Sequence, residues 1–168
     1  MSEPHSCSRA SDIDVVVASP GEMDTVRGLW REYWNSFGLS EDFQSFGDEW
    51  KTLPGPYAPP AGRLLLAFVH GDAAGTAGLR PLRKQACEAK RLYVRPEYRG
   101  KGVGRALLER LVSEARAAGY EEMYGDTLQS MRSALEMYYR MGFCEVGPYS
   151  EHPTPGAIFL RLSLPEMR

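Results

Sequence analysis

Cysteine is scarce in this chain of 168 residues. Its three, Cys7, Cys87 and Cys144, show no C-x-x-C spacing, which suits neither a disulfide framework nor a zinc site and favours a reducing, cytoplasmic setting with no bound metal. Long apolar runs are missing too. The longest covers residues 64–69, far short of the ~20 residues a membrane-spanning helix needs, and the first ten residues carry charge and serine where a secretory segment would be apolar. Nor does one sign of charge prevail: 20 Lys and Arg against 22 Asp and Glu leave −2. The chain as a whole therefore has no pull on nucleic acid or an anionic membrane, and neither is expected as a partner.

What is present describes a globular domain. Hydrophobic residues make 43% and charged residues 25%, which excludes disorder and low complexity. The length suits one core, and folding should bury ~70% of the surface an unfolded chain exposes. Residues 1–11 read as a flexible polar leader and 12–168 as a single domain. A β-branched run at 13–17 predicts a strand. Ser19, Glu22 and Asp24 open a helix in which Val26, Leu29, Trp30, Tyr33, Trp34 and Phe37 recur at helical spacing. Phe43, Phe46 and Trp50 suggest a shorter helix before a proline-rich loop at 54–60. Strands follow at 64–69, 75–82 and 87–94, with a turn at His70-Gly71-Asp72, although Gly75 and Gly78 weaken the middle one. Val103, Leu107, Leu111 and Ala115 step by four, flanked by Leu108 and Val112, and Gly119 ends that helix. A strand at 123–127, a helix at 130–141 and closing strands at 143–146 and 158–164 complete the order βααβββαβαββ. The fold class is mixed α/β, with a largely antiparallel central sheet flanked by helices.

One segment carries chemistry: Leu92-Tyr93-Val94-Arg95-Pro96-Glu97-Tyr98-Arg99-Gly100-Lys101-Gly102-Val103-Gly104-Arg105 sets a strand, a glycine-rich turn and a long helix in succession. Amides at a helix start lack partners and their dipoles favour an anion. Glycines at 100, 102 and 104 let oxygen atoms approach, and Arg99, Lys101 and Arg105 add positive charge. A tight turn with solvated cations is the plain alternative. The spacing lacks G-x-G-x-x-G, and no G-x-x-x-x-G-K-[ST] run occurs, so a dinucleotide dehydrogenase or an NTPase is disfavoured.

Arg99-x-x-Gly102-x-Gly104, following Leu-Tyr-Val-Arg-Pro and opening an amphipathic helix, resembles the acetyl-CoA signature of the GNAT N-acetyltransferase superfamily. Tyr138 with Gly142-Phe143 resembles that family's Y-x-x-x-G-F element. The resemblance implies an enzyme that moves acetyl from acetyl-CoA to a primary amine by direct attack, with acetyl-CoA as cosubstrate. It places the diphosphate on the amides of Arg99, Gly100, Lys101, Gly102, Val103, Gly104 and Arg105, and the pantetheine arm on the main chain of Leu92, Tyr93 and Val94. Members of the family splay this strand from the next one to free that edge. Tyr138 then matches the general acid, and Glu88 the general base of some members. Glu88 should share a strand face with Lys90, Leu92 and Val94, and an ion pair with Lys90 or Arg91 is its structural alternative. His70 and His152 are rival bases. Where many relatives carry a cofactor-contacting asparagine, this chain has Met131, beside Ser130, which also suits the N-cap of its helix.

The same resemblance puts the acceptor among the first two helices and the last loop. Of Trp30, Tyr33, Trp34, Phe37, Tyr57, Tyr149, Glu151 and His152, the last loop's Tyr149, Glu151 and His152 are the favoured contacts. The acceptor, whether small amine, amino acid, peptide or protein, stays open, and related enzymes are often homodimers. Two other classes compete: a non-catalytic acyl-CoA-binding or regulatory module, and an interaction domain that binds no CoA.

Overall fold

The computed structural model describes residues 12–38, 46–151 and 153–165, so the leader, Phe43 and His152 lie outside the described residues. Seven strands form one sheet: β1 (Ile13–Val17), β2 (Arg63–Val69), β3 (Asp72–Arg83), β4 (Ala86–Val94), β5 (Glu122–Leu128), β6 (Cys144–Val146) and β7 (Ala157–Ser163). The helices are α1 (Met23–Ser36), α2 (Phe46–Lys51), α3 (Val103–Ala117) and α4 (Arg132–Arg140). The sheet order is β1-β2-β3-β4-β5-β7-β6. All neighbours are antiparallel except β4 and β5, which α3 connects in parallel. No described helix is long and apolar enough to cross a membrane.

Local chemistry sets most element ends. Ser19 N–H donates to Glu22 Oε2 at 2.7 Å, closing the entrance to α1. His70 and Gly71, at φ 50° and 83°, form the two-residue turn between β2 and β3. Gly119 and Gly142 leave α3 and α4 at φ 86° and 96°. The alternation of β2 divides the interior in two: Leu65 and Ala67 join the core under α3 and α4, while Leu64 and Leu66 join Val26, Leu29, Trp30 and Tyr57 under α1. All six apolar positions read along α3 are buried.

Two expectations need correcting. The helix expected from Ser130 begins at Arg132, and its N-cap is Met131 without a side-chain bond, so exposed Ser130 does not cap it. The strand face assigned to Glu88 also breaks. Between Thr76/Gly78 and Tyr93/Lys90 the register slips, with Arg91 at φ 58° taking up an extra residue as a bulge. Cys87, Ala89, Leu92 and Val94 therefore belong to the α3 side, and Glu88 lies with Lys90 on the opposite face.

Gly75 and Gly78 have a packing reason in the strand they seemed to weaken. A Cβ on Gly75 would come within 2.6 Å of Tyr93 O, and one on Gly78 within 2.7 Å of the Tyr57 ring. Gly75→Ala is expected to lower stability by about 1–3 kcal/mol. Gly147→Ala, which meets nothing within 4 Å, should stay within about 0.5 kcal/mol of the parent. Urea unfolding of the two variants checks this, and equal midpoints would contradict it.

Candidate functional site

β4 and β5 pair only at Ala86–Glu122, Cys87–Met123 and Glu88–Tyr124. Beyond that, β5 keeps its full ladder with β7 down to Leu128, and β4 keeps pairing with β3 up to Val94. The sheet opens as a V with one unpaired edge on each inner strand. Which β4 groups face the gap follows from alternation. Arg95 N–H donates to Ala74 O at 2.8 Å, and Tyr93 O lies against Gly75. Tyr93 is thus turned toward β3, whereas Leu92 and Val94 are turned into the gap. Of the three main-chain positions expected to offer a free edge, two do so and Tyr93 does not. Val94 O already accepts Arg99 Nε at 3.0 Å.

At the top of the gap stands the glycine-rich turn. Gly100 and Gly102 lie at φ 74° and 89°, a region open to glycine, and Gly102 is the N-cap of α3. Among the described residues the amides of 100–105 have no backbone acceptor, the first helical bond being Ala106 N–H to Gly102 O. Arg99 N–H is spent on Pro96 O at 3.2 Å and leaves the set of free amides. The glycines also divide their work. A Cβ at Gly100 would meet nothing, but one at Gly104 would face Val94 Cγ2 at 3.6 Å and Met137 Sδ at 3.7 Å. Gly104 thus lies where α3 approaches β4 and α4, at a spacing that a Cβ would fill with ordinary van der Waals contact. Among the cations, exposed Arg105 is tied to Glu109 at 2.8 Å, and Lys101 lies over the Tyr98 ring.

The gap is a cleft of ≈ 750 Å³, solvent at its mouth included, walled by Tyr33 and Trp34 of α1, Phe37 just past its end, residues 89–92 of β4, residues 126–128 of β5, and Met131, Ala134, Tyr138 and Thr154. Tyr138 is buried against Phe143, ring centroids 5.1 Å apart. Burial pushes its phenol well above the ordinary tyrosine range, with the charge of Asp126 adding to that, so it stands as a held proton. Met131 lines the cleft and takes a contact from Thr127 Oγ1 at 3.8 Å. The acceptor residues divide differently from expectation: α1 supplies the aromatic wall, while Glu151 is exposed and outside the lining. Trp30 and Tyr57 are core. His70 sits at the hairpin tip, 3.6 Å from Asp12, and is not among the cleft's walls. Asp126 was not singled out in the sequence. Its signal was faint: a lone acid alternating with Tyr124 and Leu128 on a strand.

Below the cleft lies a polar network. Glu88 is 4% exposed, and its oxygens accept Arg80 at 3.2 Å, Lys90 at 3.3 Å and Tyr149 Oη at 3.4 Å. The expected pairing with Lys90 is present, but Arg91 takes Glu49, through Nη2 at 2.8 Å and Nε at 3.2 Å. Glu49 also accepts Arg80 and Tyr57. The Arg91 guanidinium lies 5.4–5.6 Å from the rings of Trp30, Trp34 and Phe46. An extended side chain at positive φ is strained, and the two-pronged bond to Glu49 holds it there.

Residues 23–143 match the Acetyltransferase (GNAT) family. An uncharacterized N-acetyltransferase of Schizosaccharomyces pombe is 35% identical over 159 residues, covering 93% of this chain and 98% of that protein. Among solved structures, a GNAT acetyltransferase of Staphylococcus aureus superposes with a TM-score of 0.76 at 21% identity, over 91% of this chain and 99% of the other. The PaiA N-acetyltransferase of Thermoplasma acidophilum, in complex with coenzyme A, gives 0.70 at 19% identity, over 90% and 98%.

Removing the Arg91 cation should leave Glu49 underpaired. Arg91→Met is expected to cost about 3–5 kcal/mol, and adding Glu49→Gln should recover part of that loss. A double-mutant cycle by chemical unfolding measures it. Strictly additive losses would mean that the pair does not hold the bulge.

Proposed function

Because the chain belongs to the GNAT family of acetyltransferases, we propose that it is an acetyl-CoA-dependent N-acetyltransferase acting on a primary amine by direct attack. The observation that carries this is a single juxtaposition: the partnerless amides opening α3 stand over the split between β4 and β5, with Tyr138 inside the split. The residues present fit the coenzyme. Amides of Gly100, Lys101, Gly102, Val103, Gly104 and Arg105 receive the diphosphate, and Arg99 stands beside them through its side chain. The main chains of Leu92 and Val94 offer ladder groups to the amides of the pantetheine arm, and Met131 lines its far wall. When bound, acetyl-CoA supplies an activated acyl thioester.

This chain's own groups do the rest. The aromatic wall of α1 and the loop carrying Thr154 exclude water around the acceptor. Tyr138 holds a proton that burial keeps on its oxygen and delivers it to the departing sulfur. Glu88, expected as a base, has three donors on its two oxygens, Arg80, Lys90 and Tyr149. In this reading it fixes Lys90 and Tyr149 under the cleft.

Free-thiol release with acetyl-CoA and a panel of amines, polyamines and peptides tests the activity. Tyr138→Phe should lower kcat by at least about 100-fold while leaving the thermal shift produced by CoA, ~2.7 kcal/mol at a hundred times its Kd, unchanged. Undiminished turnover would remove Tyr138 from this role. A full CoA shift with no thiol released from any acceptor would favour a binding module.

The same phenol sets the alkaline limit. A tyrosine whose pKa is raised stays protonated where an ordinary one begins to ionise, at about pH 10. The kcat profile should therefore hold level, or rise as amines lose their protons, from about pH 7 to about pH 10. A descending limb centred near pH 9 to 10, lost when Tyr138 is replaced, would place that phenol in water.

A further inference from the structure

The charges around the cleft are paired, with one exception. Lys90 is matched by Glu88 and Arg91 by Glu49, and Arg80 bridges both glutamates. Asp126, half-buried on β5, lines the same cleft and has neither a hydrogen bond nor an ion pair among the described residues. It follows Tyr124 by two positions, and the Tyr124 ring packs on Tyr149, whose hydroxyl reaches Glu88; Asp126 is therefore on the acceptor face of the sheet. Burial is the largest influence on the phenols of Tyr33, Tyr138 and Tyr149, and the Asp126 carboxylate adds to it at all three. It thus stands between α1, α4 and the loop before β7.

We propose that Asp126 receives the acceptor, and that the acceptor is a primary ammonium group on an apolar or aromatic body. The proposal rests on the acetyl-transfer reading for its reaction, not for its binding site. A carboxylate in a partly desolvated cleft is costly without a cation, and the cations nearby are already engaged. Across from it, Tyr33, Trp34 and Phe37 offer aromatic surface, which attracts a cation through its faces and covers the carbon body behind it. An acceptor with its own carboxylate would meet Asp126 as a like charge. Asp126 then takes the proton that must leave. An N–H bond of the ammonium breaks, its proton forms an O–H bond on a carboxylate oxygen, and the electron pair left on nitrogen becomes the nucleophile. The proton passes to water at the open mouth of the cleft.

The test uses 2-phenylethylamine and its uncharged counterpart 2-phenylethanol, titrated calorimetrically into the full chain and into Asp126→Asn, with the CoA thermal shift measured on both. The parent should bind the amine at least about tenfold more tightly than the alcohol, the value of a charged hydrogen bond. Asp126→Asn should erase that preference, Asp126→Glu should restore part of it, and the CoA shift should not change. In thiol release, Asp126→Asn should lower kcat/KM for the amine by at least about 100-fold. An amine preference that survives Asp126→Asn, or its absence from the parent, overturns the proposal. A parent that shows no CoA shift yet binds the amine through Asp126 would refute the acetyl-transfer reading and leave this assignment supported.

Discussion

Past Glu88 and Tyr124, β4 and β5 part company while each keeps its outer neighbour. The inner edges carry peptide groups that a closed sheet would have paired, and a buried peptide group without a partner costs about 1–3 kcal/mol. The split is tolerable only if something holds the halves apart and something else, water or a ligand, takes the exposed groups. On the α1 side, the Arg91 bulge turns β4 away from its partner and is fixed by Glu49 from α2. On the other face, the first turn of α3 and the side of α4 bracket the gap. The cleft is therefore a property of the whole fold. It depends on groups that touch no substrate.

Elements whose ends depend on neighbours in sequence were legible. The capping of α1 by Ser19 and Glu22, the stepped leucines of α3, and the glycine stops at 119 and 142 are local signals. The glycine-rich turn was legible for the same reason, since its glycines and its helix adjoin. What escaped was relational. Nothing in Glu-Ala-Lys-Arg-Leu-Tyr marks Arg91 as a bulge, because a cation at that place in an alternating strand looks like a solvent-facing residue, yet it is 5% exposed. From that one misplaced parity followed the wrong face for Leu92 and Val94. Gly75 and Gly78 looked like defects until the backbone of β4 and the ring of Tyr57 were seen against them.

The acidic residues show how pairing, more than position, separates roles. Glu49, Glu88 and Asp126 all stand near one cleft. Glu49 fell in a helix pattern too short to attract notice, Glu88 drew attention through its place in a motif-bearing strand, and Asp126 drew none. In the structure their partners differ. Glu88 and Glu49 are committed to Arg80, Lys90 and Arg91. Breaking into such a network leaves a buried charge uncompensated, which is the expensive outcome. A carboxylate with no cation of its own is the one free to meet a ligand's.

Gly104 links the two ends of the site. At this residue the first turn of α3 meets Val94, near the end of β4, and Met137, the neighbour of Tyr138 in α4. A Cβ there would touch both at ordinary van der Waals distance, so atoms beyond a methyl would have to find room between α3, β4 and α4. The packing of α3 against α4 at this residue thus couples the glycine-rich turn to the element that carries Tyr138. The third glycine of the turn, which looks in the sequence like one more concession to a bound phosphate, also lies in the contact between α3, β4 and α4. Helix-to-helix contact through so short a path leaves little room for adjustment.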